Sequence, residues 1–134
     1  MASDENLPKC NFEEINRARN DPNILVIDVR ELTELQEVGH IPGAINIPLS
    51  MVAEALGPEF SDTMFVNKYH VKKPCKSDAL IFTCRSGRRS EIAQKQAFSL
   101  GYCDVKNYSG GWLDWNQQVK PILTKSAKLL SLRK

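Results

Sequence analysis

The residues best suited to chemistry lie in one run, Cys84-Arg85-Ser86-Gly87-Arg88-Arg89-Ser90. Before it, Asp78–Thr83 (DALIFT) reads as a buried strand. After it, Ile92, Ala93, Gln96, Ala97 and Leu100 recur at helical spacing, which predicts a helix over Ser90–Leu100 with Gly101 as its cap. In an open α/β sheet, ligands bind beyond the carboxyl ends of strands. A helix that starts there offers free backbone N–H groups and partial positive charge. A cysteine in that position has a lowered pKa, and Arg85, Arg88 and Arg89 are expected to lower it further. Gly87 permits the turn that aims successive N–H groups inward. The implied chemistry is a thiolate nucleophile, Cys84, in an anion-binding cradle. The plainer reading makes Cys84 an inert core residue and the arginines a solvated surface. Cys10, Cys75 and Cys103 lack the strand–loop–helix setting and read as structural.

The elements that must position this loop follow from short apolar runs. Asn23–Val29 (NILVIDV) reads as a buried parallel strand, Ala44–Pro48 as another, and Asp104–Tyr108 as a weaker one. Glu31–Val38 reads as a short helix, and Cys10–Arg19 as a helix, with a very short edge strand before it as one option. The connection over residues 50–77 is long and should carry structure of its own. Helices are expected at Met51–Leu56 and Glu59–Tyr69, the second with Phe60, Met64, Phe65 and Tyr69 on one apolar side. Trp112 and Trp115 open a last helix, continued by Val119, Ile122, Leu123, Ala127 and Leu130. Pro121 stands there as an interruption or as a new helix start. Strands alternating with helices predict an α/β fold around a parallel sheet.

Length and composition exclude several classes. A chain of 134 residues with 42% hydrophobic side chains fits one domain with a real core. No apolar run is long enough to span a bilayer. Residues 1–114 hold all 16 acids and 13 of the 18 basic residues, so that part is net −3 while the last twenty residues are +5. A net-negative body argues against nucleic-acid binding. The basic tail reads as a solvated face. The four cysteines show neither zinc spacing nor a disulfide framework. With two acids in its first ten residues, the start resembles neither a secretory signal nor a mitochondrial presequence. A reducing compartment is expected: the cytoplasm, or the mitochondrion if a leader has been removed.

Four segments in order resemble the rhodanese-like sulfurtransferases. Cys84–Ser90 resembles the active-site loop of that family. Val26-Ile27-Asp28-Val29-Arg30-Glu31, followed by Gly39-His40-Ile41-Pro42-Gly43-Ala44, resembles its first signature. Tyr108-Ser109-Gly110-Gly111-Trp112, with Trp115, resembles its second. Lys73-Pro74 before Asp78 is similar to the small single-domain eukaryotic thiosulfate sulfurtransferases. The resemblance implies a three-layer α/β/α domain with a five-stranded parallel sheet over residues 10–117, leaving 118–134 as a basic C-terminal helical tail. It implies that Cys84 takes the outer sulfur of thiosulfate or another sulfane-sulfur donor and holds a persulfide. Arg85, Ser86, Gly87, Arg88 and Arg89 then bind the donor. The acceptor is cyanide or a thiol, with glutathione and thioredoxin as candidates. No metal, organic cofactor, nucleic acid or membrane span is expected, and the chain is expected to be a monomer.

Supporting roles fall to Asp28, Arg30, His40 and Trp112. The first three either border the pocket or form a hydrogen-bonded bracket at the strand ends, and the bracket is favoured. Trp112 and Trp115 read as core, with Trp112 near the rim. Two rival functions remain. A cysteine phosphatase or arsenate reductase uses a C-x5-R loop, but here Arg89 is the fifth residue after Cys84, so the loop is one residue short. A non-catalytic interaction module is the other rival, and Cys84 in a well-formed loop weighs against it.

Overall fold

Period-two alternation along the strands builds two cores, one on each face of a single sheet. Leu25, Ile27, Leu80, Phe82 and Val105 point to one side, and Ile24, Val26, Ile81 and Tyr108 to the other. The structure, a computed structural model, describes the backbone of residues 6–132 and the side chains of residues 6–121. The strands are β1 (Lys9–Cys10), β2 (Ile24–Asp28), β3 (Ile45–Asn46), β4 (Ala79–Thr83) and β5 (Asp104–Tyr108). All pair in parallel, in the order β1-β5-β4-β2-β3. The helices are α1 (Phe12–Ala18), α2 (Leu32–Val38), α3 (Leu49–Ala55), α4 (Asp62–Tyr69), α5 (Arg88–Ser99) and α6 (Gly111–Leu132). Ile15 of α1 and Trp115 of α6 enter one core; Val52 of α3, Phe65 of α4 and Ala93 of α5 enter the other. This is the expected three-layer α/β/α sandwich with a five-stranded parallel sheet.

The strand order locates the site. From β2 the chain steps outward to β3, and from β4 it steps the opposite way to β5. The switch point therefore lies between β2 and β4, where a crevice opens beyond the carboxyl ends. Asp28 closes β2 there and Cys84 follows β4.

Several local expectations change. Before α1 the optional short edge strand is present: Lys9 and Cys10 pair with β5, and Asn11 starts α1 by accepting the Glu14 N–H on its side chain. Helix α5 begins two residues early, at Arg88, and its buried face is Ser90, Ala93, Gln94 and Ala97, while Ile92 is 44% exposed. Gln94 takes that place because its Nε2 donates to the carbonyls of Pro8 and Val105. The Gly101 cap forms as expected: Tyr102 N–H reaches Ala97 O, and Gly101 N–H reaches Phe98 O.

The connection over 50–77 does carry its own structure. Phe60, Phe65 and Tyr69 pack as an aromatic cluster, with Phe65 and Tyr69 centroids 4.8 Å apart, whereas Met64 turns outward at 48% exposure. Lys73 staples the segment, its Nζ donating to the carbonyls of Gly57 and Phe60 at 2.6 Å each. Helix α6 passes the 117/118 boundary unbroken, with Pro121 inside it rather than starting or ending it. Val119 packs partly on the core near Trp115. The side chains of Ile122, Leu123, Ala127 and Leu130, expected to continue the helix, lie outside the described residues, as do Arg133 and Lys134.

Candidate active site

The loop after β4 is shaped from outside by the start of α6. Trp112 N–H donates to Cys84 O at 2.8 Å, and Leu113 N–H to Arg85 O at 3.2 Å. With those carbonyls drawn toward α6, the loop amides are left for the sulfur. Gly111 permits this contact: its φ is +60°, and a Cβ there would stand 2.6 Å from Cys84 O. Gly87 closes the turn at φ +93°, where a Cβ would strike the Ser109 carbonyl oxygen. The Ser109-Gly110-Gly111 turn is thus the outer mould of the loop.

Inside the mould sits Cys84, 1% exposed. Gly87 N–H donates to its Sγ at 3.0 Å, and Ser90 Oγ lies 3.3 Å from the same sulfur. Burial alone would push the thiol up. The Ser90 hydroxyl and the backbone N–H groups of Ser90, Ser86 and Gly87 outweigh it and hold Cys84 below its ordinary value. The sequence predicts that the helix start lowers the thiol and that the arginines lower it further. The hydrogen-bond donors of the helix start do most of the lowering, and of the arginines Arg89 interacts electrostatically with the sulfur. Arg85 and Arg88 are exposed. Arg89 is held by Glu34 in a bidentate pair, Nη1 to Oε1 at 2.6 Å and Nη2 to Oε2 at 3.0 Å. Arg89 holds the Glu34 carboxyl down to about 2. The pair ties α2 to the first turn of α5.

Asp28 and Arg30 form the bracket. Arg30 Nε and Nη2 donate to the Asp28 carboxylate, Nη2 at 2.8 Å, and Nη2 also reaches Gly39 O at 3.0 Å. Both are buried, and the Arg30 guanidinium stacks on the Trp112 ring at 5.3 Å. Trp112 is half-buried and lines a groove of about 340 Å³ together with Arg85, Glu37 and Val38. His40 takes no part in the bracket: it is exposed and lines a second groove with Phe12 and Trp115, which meets the first at Trp112. The structure therefore brings Cys84, Ser86, Gly87 and Ser90 together, leaves Arg85 and Arg88 exposed beside them in the chain, and uses Asp28, Arg30 and Arg89 to hold the frame.

The rhodanese-like domain family matches residues 11–118. The chain belongs to that family. It is 44% identical over 104 residues to the Mus musculus thiosulfate sulfurtransferase/rhodanese-like domain-containing protein 3, covering 78% of this chain and 65% of that protein. It is 37% identical over 112 residues to a Saccharomyces cerevisiae thiosulfate:glutathione sulfurtransferase, covering 82% of this chain and 78% of that one. Among solved structures, the human single-domain sulfurtransferase TSTD1 superposes with a TM-score of 0.74 at 33% identity, over 82% of this chain and 96% of the other.

Within this rhodanese-like site, sequence reasoning missed Asn107 and the part played by Ser90. Ser90 Oγ lies 2.6 Å from Asn107 Oδ1, and Asn107 Nδ2 donates to Gly87 O at 3.0 Å. The signal was available: Asn107 shares a strand face with Val105, so it is a polar residue at a core position of β5. Glu34 was also missed, since nothing local links it to Arg89, 55 residues away.

Proposed function

We propose that this protein is a thiosulfate sulfurtransferase in which Cys84 carries the sulfur. The observation that carries the reading is a buried sulfur supplied with donors by Gly87 N–H and Ser90, which favours an anion at Sγ. The Cys84 thiolate attacks the outer sulfur of thiosulfate; the S–S bond breaks and sulfite leaves with the bonding pair. Cys84 then holds a persulfide whose charge rests on the outer sulfur. A thiolate acceptor attacks that outer sulfur, becomes a persulfide itself and returns the Cys84 thiolate. The exposed Arg85 and Arg88 draw in the dianionic donor.

The acceptor we favour is a small thiol of the glutathione type. A relative 37% identical to this chain is named for that pair of substrates. Arg85, next to Cys84 in the chain, lines the Trp112 groove, which has room for a thiol larger than cyanide.

The experiment is to treat the purified chain with thiosulfate, remove the excess and locate added sulfur by peptide mass spectrometry. One sulfur atom on Cys84, discharged by glutathione, cyanide or thioredoxin, is the expected result. Sulfur on another cysteine, or none, overturns the reading.

A further inference from the structure

One proton in the floor of the site has two claimants. Ser90 Oγ lies 3.3 Å from Cys84 Sγ and 2.6 Å from Asn107 Oδ1. A serine hydroxyl has a single proton to donate. Gly87 fixes which end of the Asn107 amide faces Ser90. Its carbonyl oxygen only accepts, so Nδ2 stands against it at 3.0 Å and Oδ1 turns toward the hydroxyl. All three side chains are buried: Cys84 at 1%, Ser90 at 0% and Asn107 at 3% exposure. Water therefore cannot replace whichever bond is lost. An anionic sulfur is a charged acceptor and draws the proton. Asn107 Oδ1 is then left buried without a donor, which is unfavourable. A sulfur carrying a second sulfur atom is no longer the anion, and the hydroxyl turns back.

We propose that Asn107 is a positioning residue acting on Cys84 through Ser90, competing with the free sulfur anion for the hydroxyl proton and reclaiming it when the sulfur is loaded. The inference rests on Cys84 as the sulfur carrier. Asn107 restrains the free thiolate and favours the loaded form, which keeps the carrier from being too stable an anion and so too weak a nucleophile toward the donor. The charges around the sulfur come from several elements. They are Arg85, Arg88 and Arg89 of the loop and α5, the Asp28–Arg30 pair at the end of β2, Glu34 of α2 on Arg89, and Asp114 of α6 on Tyr108. Among the described residues, none of them is a side-chain partner of Ser90 or Asn107, so the proton is shared by Cys84 and Asn107 alone.

The test is a pH titration of the Cys84 thiolate by its ultraviolet absorbance, as the difference between each chain and its Cys84→Ser counterpart. It needs no sulfur transfer, so it can fail while the proposed activity stands, and the reverse. Ser90→Ala should raise the midpoint by about one pH unit, the worth of one hydrogen bond to the anion. Asn107→Leu should lower the midpoint when Ser90 is present and leave it unmoved in the Ser90→Ala chain. Asn107→Asp keeps an acceptor and strengthens it, so it should raise the midpoint, and more so with Ser90 than without. If Asn107→Leu does not fold, the Asn107→Asp pair decides. Equal shifts with and without Ser90 would show that Asn107 acts only through the Gly87 carbonyl. That result, or a rise in Asn107→Leu, overturns the proposal.

Discussion

Cys10 and Cys84 make a natural pair. Both are free and buried, and both stand at the carboxyl end of a parallel strand of one sheet. Burial is the largest influence on each and pushes both thiols up. Yet Cys10 is driven to about 12, with Glu14 adding repulsion and Lys106 only partly opposing it. Cys84 is held below its ordinary value. The difference lies in the helix that follows. Helix α1 satisfies its own start: Asn11 caps it, and Glu13 and Glu14 fill its first turn. Helix α5 has Gly87 at its start and no side-chain cap, so its free N–H groups turn to the sulfur. A strand end alone does not make a nucleophile; an uncapped helix start facing it does.

The comparison breaks most completely at Cys84 itself. Cys84→Ser should reduce sulfur transfer to the uncatalysed background, because an oxygen at that position forms no persulfide, while the fold survives a change of one atom. Cys10→Ser should leave turnover unchanged. Assaying both beside the parent chain, with thermal unfolding as a control, checks the pair. Turnover retained by Cys84→Ser, or lost by a folded Cys10→Ser, reverses the assignment.

The uncapped start is tested next. At Gly87→Ala, a left-handed φ of +93° and the Ser109 backbone oppose a side chain, so stability should fall by about 1–3 kcal/mol or more. Turnover should fall about tenfold as well, since the N–H aimed at Sγ shifts and one such bond is worth that factor. Gly101→Ala is the control. Its φ is +98°, but the nearest atom to a new Cβ is Lys76 Cδ at 3.8 Å, far from the sulfur. It should lose stability from backbone strain and keep its turnover. Equal loss of turnover in both variants would mean that instability, not the cradle, sets the activity.

The sequence showed the parts whose logic is local. Short continuous apolar runs along NILVIDV and DALIFT gave the central strands, and helical spacing with a trailing glycine gave α5 and its glycine cap. Gly87 between a strand and a helix gave the cradle. Contacts distant in sequence stayed hidden. That Glu34 would occupy Arg89, or that Gly110-Gly111 would mould a loop more than twenty residues earlier, depends on how β5 and α6 return past β4. Ile92 misled because it fits helical spacing while Gln94, polar by type, found two backbone carbonyls, those of Pro8 and Val105. Edge strand β3 was legible within the run Ala44–Pro48, though only two of its residues pair, whereas β1, also two residues long, was legible only as an option.

The smallest expected effect separates burial from charge at Cys10. Glu14 repels the Cys10 thiolate and also holds Lys106, Nζ to Oε2 at 3.1 Å. Glu14→Gln removes the repulsion and releases the cation, so both changes lower the Cys10 thiol from about 12. Burial, the leading cause, is untouched, and no uncapped helix start comes into range. Both Glu14 and Lys106 are partly exposed, so their influence is screened by solvent. Cys10 in Glu14→Gln should therefore still be alkylated by iodoacetamide much more slowly than Cys84 at pH 8, read peptide by peptide in the same sample. Its rate should rise only a few-fold over the parent chain. If instead Cys10 came to match Cys84, one carboxylate would account for the whole contrast between the two cysteines, and the helix start after β4 would explain nothing about reactivity.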